Sequence, residues 1–231
     1  MKPNYTYFLI LAVSFAGPFF LSFDKKVAFY KKWKFVFAAM ILPAIFYIIW
    51  DSIFATKGVW YFNAEKVIAN TYIYNLPLEE ILFFFIVPYC CLFVYECILC
   101  YFPKLQSNKK ADTILLLLGA LLLMVGIFTL KLYYTAYTSF FTATFIFFIF
   151  LFRKYFSSFN STAFLVSYVI ILIPFLVVNG FLTAIPVITY NDNQNLATRI
   201  FTIPVEDIFY GLLLVLMNVV IYEKLQTKKM E

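Results

Sequence analysis

Apolar residues run through this chain in blocks of about twenty, broken by short basic loops. The blocks lie near Tyr5–Phe23, Trp33–Ile53, Glu80–Tyr101, Ala111–Leu130, Tyr133–Phe152, Thr162–Val178 and Ile203–Tyr222. A helix needs about 20 apolar residues to cross a bilayer. The pattern predicts an all-α integral membrane protein with seven transmembrane helices. Only the region of Lys131 separates the fourth block from the fifth. Two connections, about 54–79 and about 179–202, are longer than the rest. Both are amphipathic enough to fold back over the helix ends.

Composition agrees with that pattern and narrows the chemistry. Hydrophobic residues make up 64% of the 231 and charged residues 13%, against about 45–50% and about 25% in soluble domains. There is no His, which removes His-ligated haem, His-box di-iron chemistry, His-based zinc sites and His general bases. The net charge of +6 sits in loops between apolar blocks. Anionic lipid headgroups account for it, and no nucleic-acid partner is implied. Cys90, Cys91, Cys97 and Cys100 share one apolar block. They read as small buried thiols rather than a disulfide framework. The first block is followed by a Lys-rich loop and reads as a retained helix rather than a cleaved signal.

Lys and Arg give an orientation. Loops after blocks one, three and five, with the C-terminal tail, hold Lys25, Lys26, Lys31, Lys32, Lys34, Lys104, Lys109, Lys110, Arg153, Lys154, Lys224, Lys228 and Lys229. The other side holds Lys2, Lys57, Lys66, Lys131 and Arg199. The excess places the C-terminus in the cytoplasm and the N-terminus outside.

An internal repeat underlies the blocks. Pro77-Leu78-Glu79-Glu80-Ile81 recurs as Pro204-Val205-Glu206-Asp207-Ile208, at an offset of 127 residues. Tyr95-Glu96 recurs as Tyr222-Glu223 at the same offset. Upstream, Gly58-Val59 pairs with Pro186-Val187, Asn63 with Asn191, and Asp51 with Asn179, at an offset of 128. The expected organisation is two three-helix repeats, 1–104 and 132–231, joined by a linking helix within 105–131. Copies displaced by four helices cross the membrane in the same direction. A pseudo-two-fold axis along the membrane normal follows.

Five of the twelve acids, Asp51, Glu79, Glu80, Glu206 and Asp207, fall in one predicted layer on the outer side. Acids at a helix start are ordinary, since the dipole favours them there. Two adjacent acids in both copies, with Asp51 and Asn179 ending the preceding helices, point to function, because ionisable groups at membrane depth are costly. Adjacent helical residues point about 100° apart, so one acid of each pair can face a central cavity. Burial favours a neutral carboxyl and a helix N-terminus a charged one. Such opposed acids can donate and accept a proton. Phe83, Phe84, Phe85, Tyr89, Phe209 and Tyr210 surround them in sequence. Aromatic faces attract cations, and a dry aromatic cavity suits a carbocation that water would quench. Glu96 and Glu223 lie about 24 Å further along their helices at 1.5 Å per residue. They read as structural, with Lys104 or Lys224 as partners.

These residues resemble the membrane-integral lycopene cyclases, found as two small subunits or as fused domains. The resemblance rests on Trp50-Asp51, Gly58-Val59-Trp60, Phe62-Asn63, Leu76-Pro77-Leu78-Glu79-Glu80, Phe83-Phe84 and Val87-Pro88-Tyr89. In the second half it rests on Asn179-Gly180, Leu182-Thr183, Pro186-Val187, Thr202-Ile203-Pro204-Val205-Glu206-Asp207 and Tyr210. It covers nearly the whole chain and looks like the fused form. Ala64 stands where a proline is expected. The resemblance implies lycopene, or a related linear carotenoid, as substrate within membrane lipid. It implies redox-neutral cyclisation of ψ end groups to β-ionone rings, without metal or other cofactor. It carries catalytic roles to Glu79, Glu80, Glu206, Asp207 and Asp51, with Glu79 and Glu206 as the expected proton pair. Substrate contacts fall on Pro77, Phe83, Phe84, Tyr89, Asn179, Thr183, Pro204, Phe209 and Tyr210.

Rival readings fit less well. A carotenoid-modifying prenyltransferase needs an Asp-rich Mg²⁺ motif, and the five Asp form none. A retinal protein needs a Lys in its last helix, and none lies between Pro204 and Tyr222. A transporter or a lipid- or carotenoid-binding protein shares buried acids and repeats. A transporter would more typically show helices broken at mid-membrane.

Overall fold

The computed structural model describes residues 4–68 and 71–227. Seven α-helices follow in order: α1 Thr6–Leu21, α2 Trp33–Thr56, α3 Leu78–Tyr101, α4 Lys109–Phe128, α5 Tyr133–Leu151, α6 Ser161–Ala184 and α7 Glu206–Thr227. Six of them, α2 to α7, are long and apolar enough to cross a membrane. The first helix has 16 residues, about 24 Å at 1.5 Å per residue, and falls short of the expected block Tyr5–Phe23. Lys2, Lys228 and Lys229, counted for orientation, lie outside the described residues.

Helix ends depart from the expected blocks where local chemistry decides them. Asn108 and Asn160 cap α4 and α6, accepting from the amides of Ala111 (2.9 Å) and Ala163 (3.0 Å). A side-chain cap of this kind satisfies an N–H that has no partner within the helix. At their far ends α2 and α6 run past Asp51 and Asn179 to Thr56 and Ala184. Those two residues therefore sit inside their helices, one turn before the end.

The two long connections are not plain loops. The first forms β1 (Trp60–Phe62), β2 (Tyr72–Ile73) and β3 (Leu76–Pro77). The second forms β4 (Ile188–Tyr190), β5 (Arg199–Ile200) and β6 (Ile203–Pro204). Strands β2 and β3 pair as a hairpin, as do β5 and β6. The turn of the first holds Tyr74 and Asn75 at positive φ, the geometry a two-residue hairpin needs. β1 pairs antiparallel with β4, with Trp60 opposite Tyr190 and Tyr61 opposite Thr189. Asn63 N–H donates to the Val187 carbonyl, and Asn191 N–H to the Val59 carbonyl, both at 2.9 Å. Each of these bonds is the other moved by 128 residues.

The helices interlock across the repeat. α2 packs on α7, and α6 on α3, while α1 lies on α3 and α5 on α7. α4 packs chiefly on α5. The core divides into two clusters. One surrounds Tyr47, Trp50, Trp60 and Tyr134 near the strands, and the other surrounds Tyr95, Phe164 and Tyr222 at the opposite end.

Glu96 and Glu223 lie in that opposite cluster. Glu96 pairs with Lys32 at 2.5 Å and accepts from Tyr222 Oη at 2.5 Å. Glu223 accepts from Tyr95 Oη and from the Asn160 amide (3.0 Å). The partners are thus not Lys104 or Lys224. The Lys224 ammonium instead reaches the Tyr155 carbonyl at 2.9 Å, and Lys32 comes in from the start of α2.

Candidate active site

Hairpins set the starts of α3 and α7. Pro77 is extended (φ −65°, ψ 152°) and precedes the first turn of α3, while Pro204 ends β6 just before α7. The Leu78 amide donates to the Thr71 carbonyl at 2.9 Å, and the Val205 amide to the Thr198 carbonyl at 3.0 Å. These bonds fix the rotational phase of each helix. The adjacent acids then part company, as residues about 100° apart must.

The first acid of each pair turns to its connection. Glu79 Oε1 accepts from the Ile68 amide and Glu206 Oε1 from the Leu196 amide, both at 2.8 Å. Thr135 Oγ1 also donates to Glu206 Oε1, at 2.6 Å. The other oxygens, Glu79 Oε2 and Glu206 Oε2, are buried with no protein partner among the described residues.

The second acid of each pair turns inward. Tyr7 Oη donates to Glu80 Oε2 at 2.6 Å, and Tyr134 Oη donates to Asp207 Oδ1 at 2.5 Å. Tyr7 and Tyr134 are themselves 127 residues apart. Tyr190 Oη donates to Asp207 Oδ2 at 3.0 Å, so both oxygens of Asp207 accept a phenol. Tyr210 Oη donates to Asp51 Oδ1 at 2.5 Å. Asp51 and Glu80 are both buried, and carboxyls crowded into one dry site disfavour each other's ionisation. Tyr190 lies in β4, outside the helices, where burial and then the Asp207 charge push its phenol well above the usual tyrosine range. It therefore stays a donor.

Asp51, Glu80 and Asp207 line one end of a cavity of about 250 Å³ between α1, α3, α6 and α7. Tyr7, Trp60, Tyr134, Tyr190 and Tyr210 complete that end. Below it the walls are apolar, through Phe83, Val87, Phe175 and Val178 to Cys90, Cys91 and Val94. From Glu80 to Val94 is 14 residues of α3, about 21 Å at 1.5 Å per residue. A long, narrow, apolar cavity with carboxyls at one end matches an extended apolar molecule whose reactive group is at its tip.

The expected substrate contacts divide. Phe83, Asn179 and Tyr210 line the cavity. Phe83 and Tyr210 are a repeat pair, each three residues after its inward acid. Pro77, Pro204, Phe84, Tyr89, Thr183 and Phe209 do not line it. The two prolines start helices. Phe84 packs on Tyr47 with ring centroids 5.4 Å apart. Tyr89 follows Glu80 by nine residues, two and a half turns, so it points away. It bonds Ser22 Oγ at 2.6 Å and accepts from Trp33 Nε1 at 3.1 Å. Thr183 bonds Thr202 Oγ1 at 2.6 Å, tying α6 to the second hairpin. Phe209 packs in the opposite core cluster. The sequence reading passed over Tyr7, Tyr134 and Tyr190. The first two were signalled by the same offset as the acids. Tyr190 had no such mark, since Phe62 is its mate.

A helical membrane protein with a repeated, tyrosine-held carboxyl cluster at the head of an apolar cavity is the class this geometry defines. The sequence pattern of the lycopene cyclase family matches residues 4–98 and again 131–225. The two matches cover most of the chain, and the protein belongs to the lycopene cyclase family. They also establish the internal repeat, with α1 to α3 in one match and α5 to α7 in the other. No curated protein and no solved structure shows significant similarity to the chain.

Proposed function

We propose that this protein is a lycopene β-cyclase that closes ψ end groups of lycopene into β-ionone rings. The observation that carries the reading is the convergence of Asp51, Glu80 and Asp207 on the head of one long apolar cavity. The substrate tip lies among the carboxyls and its polyene runs along α3.

The chemistry divides among the acids. The Asp51–Glu80 pair holds one proton and delivers it to the terminal double bond of the end group. The tertiary cation that forms is attacked by the next suitably placed double bond, closing a six-membered ring and moving the cation into it. Asp207, whose two oxygens already accept two phenols, removes the adjacent proton and leaves the ring double bond. One proton enters and one leaves, so the product is an isomer. Tyr7, Tyr134, Tyr190 and Tyr210 fix the carboxyl rotamers, which is where a general acid gains its orientation. Aromatic faces of Phe83, Trp60 and Tyr210 offer negative potential to the cation. This assignment moves the proton pair from Glu79 and Glu206, which hold connections, to their inward neighbours.

The same reading includes two three-helix repeats, 1–104 and 132–231, related by a pseudo-two-fold axis along the membrane normal, with a linking helix in 105–131. The reciprocal bonds at offsets of 127 and 128 support it. It places the acid end on the outer face of the membrane, as the Lys and Arg distribution favours. Expression in cells that accumulate lycopene tests the function. Conversion of red lycopene to β-ring carotenoids, identified by chromatography and mass, is expected. Lycopene left unchanged by well-expressed protein would overturn the reading.

A further inference from the structure

The repeat makes a second cavity a geometric expectation. The mates of α1, α3 and α6 are α5, α7 and α2. A second pocket does lie between these helices, lined by Phe46, Phe141, Phe145, Leu213 and Met217, with Thr144 and Phe148. Its first five residues are the repeat mates of Pro174, Ser14, Pro18, Ile86 and Cys90, all of which line the acid-headed cavity. The two pockets are therefore the same groove in two copies.

The copies differ in one direction. Where the first groove has Ser14, Pro18, Cys90 and Pro174, the second has Phe141, Phe145, Met217 and Phe46. The wall towards the acids differs in the same sense. Val178 and Gly211 of the first groove correspond to Trp50 and Phe84. Trp50 meets Phe141 edge-on at 4.8 Å between ring centroids, and Phe84 meets Tyr47 at 5.4 Å. In the first groove the space beside Phe175, the mate of Tyr47, is kept by Gly211, where a Cβ would come within 3.0 Å of the Phe175 ring. The second pocket retains a void of about 210 Å³, but no carboxyl lines it.

We propose that the protein has one working polyene channel, the groove of α1 and α6, and that its repeat mate is sealed from the acids by aromatic side chains. Ser14 and Cys90 set the bore of the working channel, and Trp50, Phe84 and Phe141 close the other. A substrate with two reactive ends then meets the carboxyls one end at a time. A doubly cyclised product requires release of a monocyclic intermediate and its return in the opposite sense. This rests on the cyclase reading for its substrate, and its test separates the two.

Lycopene binding to purified protein, followed by quenching of tryptophan fluorescence, reports on the channel without turnover. Ser14→Phe and Cys90→Met, each importing the residue of the sealed groove, are expected to weaken binding tenfold or more. The reverse change Met217→Cys is expected to stay within twofold. Cys90→Met replaces a small apolar side chain by a longer, flexible one that can adapt to the packing, so it tests the bore even where Ser14→Phe fails to fold. Equal binding by wild type and Cys90→Met, or an equal loss in Met217→Cys, would overturn the assignment. With active protein, labelled lycopene chased by excess unlabelled lycopene is expected to yield labelled monocyclic product. Labelled bicyclic product formed in the first turnover despite the chase would overturn single-end access. Wild type that binds lycopene and closes no ring would refute the cyclase reading, leaving the channel to be judged on binding.

Discussion

Tyr95 on α3 donates its hydroxyl to Glu223 on α7, and the same bond, moved by one repeat, joins Tyr222 to Glu96. The two bonds cross the interface of the copies and end on buried carboxyls. They differ in their other partners. Glu96 also has the Lys32 ammonium at 2.5 Å and Gln226 Nε2 at 3.4 Å, whereas among the described residues Glu223 has the Asn160 amide beside Tyr95. Removing one donor from a buried acceptor costs roughly 1–3 kcal/mol. Tyr95→Phe is expected at the upper end and Tyr222→Phe at the lower. Thermal unfolding in detergent checks the order, and a larger loss in Tyr222→Phe would contradict it.

The acid layer makes a sharper prediction. Glu80→Gln and Asp207→Asn remove the groups that face the cavity, so ring formation is expected to fall by roughly 10²–10⁴-fold, the usual worth of a positioned acid or base. Glu79→Gln and Glu206→Gln keep an amide oxygen to accept from Ile68 or Leu196. They are expected to retain ring formation within about tenfold, with their loss appearing as lower thermal stability. Pigment yield normalised to protein separates the two sets. The reverse ranking would return the proton pair to Glu79 and Glu206.

The phenols are unequal supports. Glu80 receives one tyrosine hydroxyl, whereas Asp207 receives two. Tyr7→Phe leaves Glu80 without its phenol and is expected to cost about 10²-fold in rate through misplacement. Tyr134→Phe leaves Tyr190 in place and is expected to cost less. Rates measured with equal folded protein decide between them.

Alkaline titration follows from Tyr190. Its folded phenol is pushed well above the usual range, first by burial and then by Asp207. A group whose folded value is raised contributes stability that is whole below its unfolded value, about 10 for tyrosine. That contribution is lost as pH rises through and beyond that value. Tyr190→Phe is expected to flatten the fall of stability above that pH. An unchanged alkaline slope would show that Tyr190 does not contribute.

Much of this was readable before any coordinates. Seven apolar blocks gave seven helices, six of them long enough to span, because bilayer thickness demands long uniform runs. The Pro-acid-acid motif gave the repeat, because one offset held from Pro77 to Glu96. The face of each acid was not readable. Glu79 and Glu80 differ by one step of rotation, and that phase is set by bonds to the Ile68 amide and the Thr71 carbonyl, residues the motif does not contain. Tyr89 looked like a cavity residue by sequence proximity, yet helical phase turns it away. The strands escaped because two or three residues carry no periodicity. Tyr7 and Tyr134 were legible, but their bare tyrosine match stood outside any motif.

Gly58 offers a test of the strand layer that joins the copies. It follows α2 with φ +68°, a conformation open to glycine and strained for L side chains. Its carbonyl accepts from Asn191 Nδ2 at 3.0 Å, one residue before the Val59 carbonyl takes the Asn191 amide. A Cβ here would come within 2.6 Å of Tyr61 Oη. Tyr61 is more than half exposed, so its ring can swing aside and the backbone strain is what remains. Gly58→Ala is expected to cost about 1–2 kcal/mol. Since β1 and β4 carry Trp60 and Tyr190, ring formation is expected to fall with stability rather than independently of it. Thermal midpoint and pigment yield, measured on the same preparations, check this. Full stability in Gly58→Ala would show that the turn relaxes to a conformation alanine accepts.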